Sequence, residues 1–177
     1  MTDAPADPPP ARAIVVMGVS AAGKSTIAAG LARVLGYRWA DADDLHPAAN
    51  VAKMGAGEPL TDEDRWPWLD LVGQGLERGA ASGGLVMACS ALKRAYRDRI
   101  RRHAPDAVFV HLTGSRELLQ QRASARKDHF MPANLLASQI ATLEDLDDDE
   151  IGVEVDVDAA PPTIVEAAQV WVDSLDD

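Results

Sequence analysis

Cysteine occurs once in the 177 residues, at Cys89, which excludes an internal disulfide framework and a cysteine-based zinc site. No apolar run approaches the roughly 18 residues of a membrane-spanning helix, so no membrane segment is expected. The opening stretch, MTDAPADPPPAR, is acidic and proline-rich where a secretory signal is basic and then apolar. These absences point to a reducing cytoplasm. Lysine is scarce too: of 17 basic residues thirteen are arginine, leaving only Lys24, Lys53, Lys93 and Lys127. A chain that spends arginine on routine surface charge makes each lysine a candidate for a specific task. Basic charge is short overall, since 28 acidic residues leave a net charge of −11. That balance opposes broad binding to a phosphate backbone, and no nucleic-acid partner is expected.

What is present is the makeup of a globular domain: 47% apolar and 25% charged residues, over a length that suits one domain. Residues 1–12 read as a disordered, proline-rich tail and residues 13–177 as the single domain. The run Ala13–Met17, AIVVM, is the signature of a strand buried on both faces. Ile27, Leu31, Val34 and Leu35 then recur at helical spacing over 24–35, and Gly36 closes that helix. A second strand fits 37–40, followed by a polar loop. Thr61 with Asp62, Glu63 and Asp64 behind it predicts an acidic helix start, with a kink or restart at Pro67 and continuation through Leu76. Further buried-type strands fit 85–88 and 108–112, with arginine-rich helices over 93–102 and 116–126. A last strand fits 153–157, and Pro161-Pro162 opens a helix whose Ile164, Ala168, Trp171 and Leu175 share one face. Five strands alternating with helices predict an α/β fold, a parallel sheet with helices on both faces. The acidic run 144–150 lacks the spacing of a calcium loop and reads as a solvated connection.

Chemistry enters at Gly18–Ser25. The segment GVSAAGKS matches G-x-x-x-x-G-K-[ST], directly after a strand and opening a helix, which is the context a phosphate-binding loop needs. Gly18 and Gly23 permit a tight turn, and the amides of Ser20, Ala21 and Ala22 converge on phosphate oxygens at the positive end of the helix. Lys24 is expected to reach the β- and γ-phosphates of ATP, and the Ser25 hydroxyl to ligate Mg²⁺. Asp41 and Asp43 end the second strand, at the edge that borders the ligand crevice, and alternate residues of an extended segment point the same way. Asp43 is assigned to the acceptor hydroxyl and Asp41 to the metal through water. The third strand ends in Cys89-Ser90, without the acidic residue of a standard Walker B, which makes the aspartate pair more necessary. Lys93 and Arg97 stand on the same rim, suited to an anionic acceptor, whereas Arg94, Arg99, Arg101 and Arg102 fit a solvent-facing helix. Arg122 and Arg126 lie four apart on one helix face, as a lid closing cations over a transferring phosphoryl group requires. His46 and His129 have no partner at metal-ligand spacing, so no zinc site is expected.

Together these stretches resemble the gluconokinases, small phosphate-loop kinases of D-gluconate. The matching segments are MGVSAAGKST (17–26), DADDLHP (41–47), NVAKMGAGEPLTDEDRWPWL (50–69), CSALKRAYRD (89–98) and RASARKDHFMP (122–132), within a likeness running from about residue 13 to 175. The resemblance implies the fold of the nucleoside-monophosphate and shikimate kinases, with a five-stranded parallel sheet, a substrate-binding helical segment and a lid at about 122–138. It implies transfer from ATP to the 6-hydroxyl of D-gluconate, a homodimer, and a Mg·ATP site that includes Thr26 as well as Gly18, Gly23, Lys24 and Ser25. It carries the gluconate contacts to Asp43, Lys53, Arg65, Lys93, Arg97 and His129, and the lid arginines to Arg122 and Arg126. The chain departs from the pattern at Ala21-Ala22, where relatives often have Gly-Ser, a change expected to be harmless because those positions contribute backbone. It departs again at Asp145, where relatives tend to have proline. Two rivals stand beside this reading: another small-molecule kinase of the fold, such as a shikimate kinase, and a nucleotide-dependent switch.

Overall fold

The computed structural model describes residues 11–126 and 133–177. Its strands are β1 (Ala13–Met17), β2 (Arg38–Asp41), β3 (Leu85–Ala88), β4 (Val108–Thr113) and β5 (Gly152–Asp156). All pair in parallel, in the order β2-β3-β1-β4-β5. The helices are α1 (Lys24–Leu35), α2 (Ala48–Gly55), α3 (Asp62–Ala81), α4 (Arg94–Arg101), α5 (Arg116–Ala125), α6 (Ala133–Thr142) and α7 (Pro161–Asp173).

The central strand β1 lies between β3 and β4 and is buried along its whole length, which is why its five residues are all apolar. Strand alternation divides the core in two. Ile14, Val16, Val86, Val110 and Leu112 face α1 and α7, while Val15, Met17, Met87 and Phe109 face α3 and α4. Ile164 and Ala168 of the last helix are buried in the first of these layers, with Trp171 and Leu175 packed against it, as their spacing predicts.

Three expectations shift. The segment after β2, read as a polar loop, folds into a 3-10 turn (Ala42–Leu45) and α2. Pro67 neither stops nor restarts α3, which runs unbroken for 20 residues. The proline falls in the second turn, where it forgoes one backbone hydrogen bond, and a capping box holds the start: Thr61 Oγ1 accepts from the Asp64 amide at 3.1 Å, and Asp64 Oδ2 from the Thr61 amide at 3.0 Å. The acidic run is not merely solvated. Arg94 pairs with Asp147 at 3.0 Å and Asp149 at 2.6 Å, and Glu150, its side chain fully buried, pairs with Arg97.

Residues 1–10 of the expected tail lie outside the described residues, but Arg12 is anchored. Its amide donates to the Tyr37 hydroxyl at 3.2 Å, its carbonyl accepts from the Leu85 amide, and its guanidinium reaches Leu175 and Asp176.

Candidate active site

The phosphate loop leaves the buried end of β1 at Gly18. A Cβ there would stand 2.9 Å from the Leu112 carbonyl oxygen, so only glycine lets the loop pass so close to β4. Gly23, at φ 90°, turns the chain into α1, whose N-terminus is left to face the loop. Ala21 sits at φ 68°, a left-handed conformation that costs an alanine what a glycine would not pay. The substitution therefore involves more than a neutral exchange of backbone positions.

Lys24 Nζ donates to the Val19 carbonyl at 2.9 Å across the loop. Burial pulls its pKa below the ordinary lysine value, against the opposing pull of Asp43. Arg126 also lowers it, which puts this arginine electrostatically in the site from the end of α5. The Ser20 amide, an expected phosphate donor, meets Gln139 Oε1 of α6 at 2.7 Å.

Asp41 joins the loop to the acceptor side. One carboxylate oxygen accepts from Ser25 Oγ at 2.8 Å and the other caps the 3-10 turn by accepting the Asp43 amide at 2.9 Å. A hydroxyl and a carboxylate brought together are hard oxygen donors of the kind Mg²⁺ takes, so the pair predicted from the sequence is assembled. Crowding in the cleft, and then the neighbouring Asp41 carboxylate, raise the Asp43 pKa above the usual aspartate value, and Lys24 pulls the other way.

Trp68 fixes this turn. It is buried on α3, its indole N–H donates to the Ala42 carbonyl at 2.7 Å, and its ring stacks on His46 with centroids 4.2 Å apart. Sequence reasoning missed Trp68 as a positioning residue; its only signal was its place in the PWL block.

The cations expected on the acceptor side fall into two groups, both held at the start of α3. Lys53 pairs with Asp64 at 2.8 Å, and Asn50, bonded to the Asp64 carbonyl at 2.9 Å, lies 3.3 Å from His46. Lys93 pairs with Asp62 at 3.3 Å, the Tyr96 hydroxyl donates to Asp62 at 2.5 Å, and Arg65 and Lys93 both lie over the Tyr96 ring. Arg97 does not join them. It is fully buried, donates to both oxygens of Glu150 at 2.7 and 2.9 Å, and spends its other N–H groups on the carbonyls of Ala91, Leu92, Glu144 and Asp145. No donor is left for a ligand, and Arg97 is an anchor for the connection before β5. Arg122 bonds the Val157 carbonyl at 2.5 Å. His129 and Lys127 lie outside the described residues, as does the middle of the expected lid.

Residues 14–146 match the model of a family described as an AAA domain. Over 156 residues the chain is 48% identical to the gluconokinase of Gluconobacter oxydans (strain 621H), covering 88% of each chain. The chain belongs to the gluconokinase family. The crystal structure of a gluconokinase from Sinorhizobium meliloti 1021 superposes with a TM-score of 0.84 at 45% identity, over 94% of both chains. The shikimate kinase of Aquifex aeolicus, at a TM-score of 0.57 and 14% identity over 92% of this chain and 96% of that one, shares the fold alone. In this chain the phosphate loop, the turn that starts at Asp41 and the segment that leads to Lys93 each follow the carboxyl end of a strand, β1, β2 and β3 in turn.

Proposed function

We propose that the chain catalyses transfer of the γ-phosphoryl group of ATP to the 6-hydroxyl of D-gluconate, giving 6-phospho-D-gluconate and ADP. The observation that carries this reading is the Ser25 Oγ–Asp41 Oδ2 bond of 2.8 Å, which ties the phosphate loop to the turn that carries Asp43, in a chain 48% identical to a gluconokinase. Asp43 orients the acceptor hydroxyl and takes its proton as the new O–P bond forms and the bond to the β-phosphate oxygen breaks. Lys24, Arg122 and Arg126 offset charge on the transferring group, and the amides from Gly18 to Thr26 hold the β-phosphate. Lys53, Arg65 and Lys93 receive the gluconate carboxylate and hydroxyls, with His129 assigned to the same side. Ser25 directly, and Asp41 through water, would hold Mg²⁺, which when bound supplies charge neutralisation on the β- and γ-phosphates. Lid closure keeps water from replacing the sugar acid as acceptor. The reading also makes the enzyme a cytoplasmic homodimer. Family likeness supports the dimer, and a single thiol, Cys89, whose pKa burial pushes up to about 12, suits a reducing compartment.

The test is ADP release from Mg·ATP with D-gluconate, shikimate, a nucleoside monophosphate or no acceptor. Stimulation by gluconate alone is expected. Stimulation by shikimate or the nucleotide instead overturns the substrate, and slow release indifferent to every acceptor overturns the kinase reading. In D43N, turnover should fall by orders of magnitude while ATP still binds; unchanged turnover removes Asp43 as the base.

A further inference from the structure

A second cluster of chemistry-bearing side chains lies on the other flank of the sheet. The β4–β5 ladder sets His111 directly beside Glu154. Laddered partners share a face of the sheet, so both side chains project the same way. His111 is completely buried, yet neither ring nitrogen has a hydrogen-bond partner among the described residues. A neutral imidazole carries one donor and one acceptor, and an interior rarely leaves both unmet. Glu154 Oε1 stands 3.7 Å from Nδ1, too far to satisfy it. Asp145 arrives from the connection after α6, and one ligand atom from each of the three residues lies within 4.8 Å of the others. A cavity of about 170 Å³ opens beside them, lined by Val19, His111, Thr113, Arg116, Ile140 and Asp145 among others.

We propose that His111, Asp145 and Glu154 form a binding site for a divalent transition-metal cation of the zinc or cobalt class, separate from the nucleotide site. One imidazole nitrogen with two carboxylates suits those ions, whereas Mg²⁺ and Ca²⁺ favour all-oxygen sets. Tetrahedral ligands about 2.0–2.1 Å from a zinc ion stand roughly 3.4 Å apart, so the present spacing must contract. The two carboxylates belong to exposed residues and are free to close in, while His111 is held by the sheet. Burial keeps the imidazole pKa below its usual value, which maintains the neutral, ligating form. Two cations lie near. Arg97 is committed to Glu150, and Arg116 on the cavity wall leaves the two carboxylates in excess. The sequence argued against a metal in the acidic run because it lacks calcium-loop spacing; here only Asp145 of that run is used, and the other two ligands come from β4 and β5. An ion so held ties the connection that follows α6 to the β4–β5 edge. That is a structural role, near Val19, whose carbonyl holds Lys24.

The experiment is titration of the chelator-stripped protein with Co²⁺ and Zn²⁺, without nucleotide, read by the visible absorption of Co²⁺, by calorimetry and by the shift in Tm. Wild type should bind one ion with a nitrogen-containing ligand field and gain Tm with Zn²⁺. Asp145→Asn and Glu154→Gln change exposed carboxylates, and each should weaken binding by roughly tenfold or more while leaving the folded spectrum unchanged. His111→Phe should abolish the site; if that variant does not fold, the two carboxylate variants carry the test. Equal affinity in wild type, D145N and E154Q overturns the proposal, because the ion would then sit elsewhere, for example by His46 and Asp43. Binding of inorganic phosphate in place of Co²⁺ overturns it as well, since the cavity would then be an anion site built on Arg116.

Discussion

Arg97 offers the sharpest test of sequence against structure, because the two assign it different work. As a gluconate ligand it would be replaceable at a cost in KM alone. As the buried anchor it holds Glu150, whose side chain is fully excluded from water, and it also satisfies four backbone carbonyls. In R97A, Glu150 keeps Arg101 at 2.5 Å, the Asp147 amide at 2.8 Å and Arg94 at 4.0 Å, and the four carbonyls lose their side-chain donor, Leu92 alone among them retaining a backbone one from the Glu144 amide. Removing one partner of a buried pair costs about 3–5 kcal/mol, and the stranded carbonyls place this case toward the upper end. For a domain of this size each kcal/mol moves Tm by about 2–4 °C, so a fall of roughly 6–20 °C is expected. R97K should recover little, because an ammonium cannot span both carboxylate oxygens and the carbonyl ring at once. Urea denaturation gives the change in midpoint at constant slope, and Michaelis kinetics on the folded fraction give KM for gluconate. A wild-type midpoint combined with a raised KM would refute the structural reasoning and return Arg97 to the substrate.

Acid should unfold the protein through the same pair. Burial alone would raise the Glu150 pKa, but hydrogen bonds from Arg97 and Arg101 and the Asp147 amide overturn that and hold it at about 2, below its ordinary 4.5. Arg99 and then His103 likewise hold Asp70 at about 2. Depressed folded-state values contribute stability that is complete above about pH 4.5 and lost as pH falls toward 2, so this carboxylate contribution to the urea midpoint should be constant above about pH 5 and fall away below it; a midpoint that does not drop between about pH 5 and pH 3 contradicts the assignment. Trp68→Phe removes the donor to the Ala42 carbonyl, for a loss of about 1–3 kcal/mol, and loosens the turn that carries Asp41 and Asp43. Its kcat should fall with KM for ATP little changed, and an unaltered kcat would show that the indole N–H does not position the turn. Ala21→Gly relieves a left-handed alanine at the expense of a looser unfolded chain, so the net change should lie within about 1 kcal/mol; a larger loss measured by urea would mean that the Ala21 methyl packs in a way its φ does not reveal.

What was legible in the sequence was contiguous. The phosphate loop is eight residues in a row whose glycines answer to local geometry, and the buried strands are apolar runs. Strand alternation was expected to set Asp41 and Asp43 side by side, but the strand ends at Asp41 and Asp43 lies in the 3-10 turn, where its amide is capped by the Asp41 carboxylate. What was not legible depends on partners distant in the chain. Glu150 lies 53 residues from Arg97, and nothing in the local pattern YRDRI distinguishes a fully buried arginine from the half-buried Arg99 beside it. Trp68 lies 26 residues from the carbonyl it holds. Pro67 does not restart the helix, because a proline signals a break without saying how well the helix start around it is capped.

The cations of this −11 chain separate by what holds them. Lys53 and Lys93 are about one-third exposed, and each is paired to one carboxylate of the α3 start. Such half-exposed pairs contribute little to stability, so under the proposed function exchanging the partner carboxylate for that of an incoming sugar acid costs the fold little. The exchange also leaves no orphan at Asp62. The Tyr96 hydroxyl, and after it Lys93, hold that carboxyl below the usual aspartate range, so Tyr96 keeps it satisfied when Lys93 turns to a ligand. Asp64 is held in the same way by its own helix cap at Thr61 when Lys53 leaves it. The acidic residues that start α3 thus serve twice, capping the helix and keeping two lysines aimed along the cleft edge. A protein with a large negative charge needs such an arrangement to bind an anionic acceptor beside ATP: its few free cations must be concentrated, and their resting partners must have somewhere else to turn.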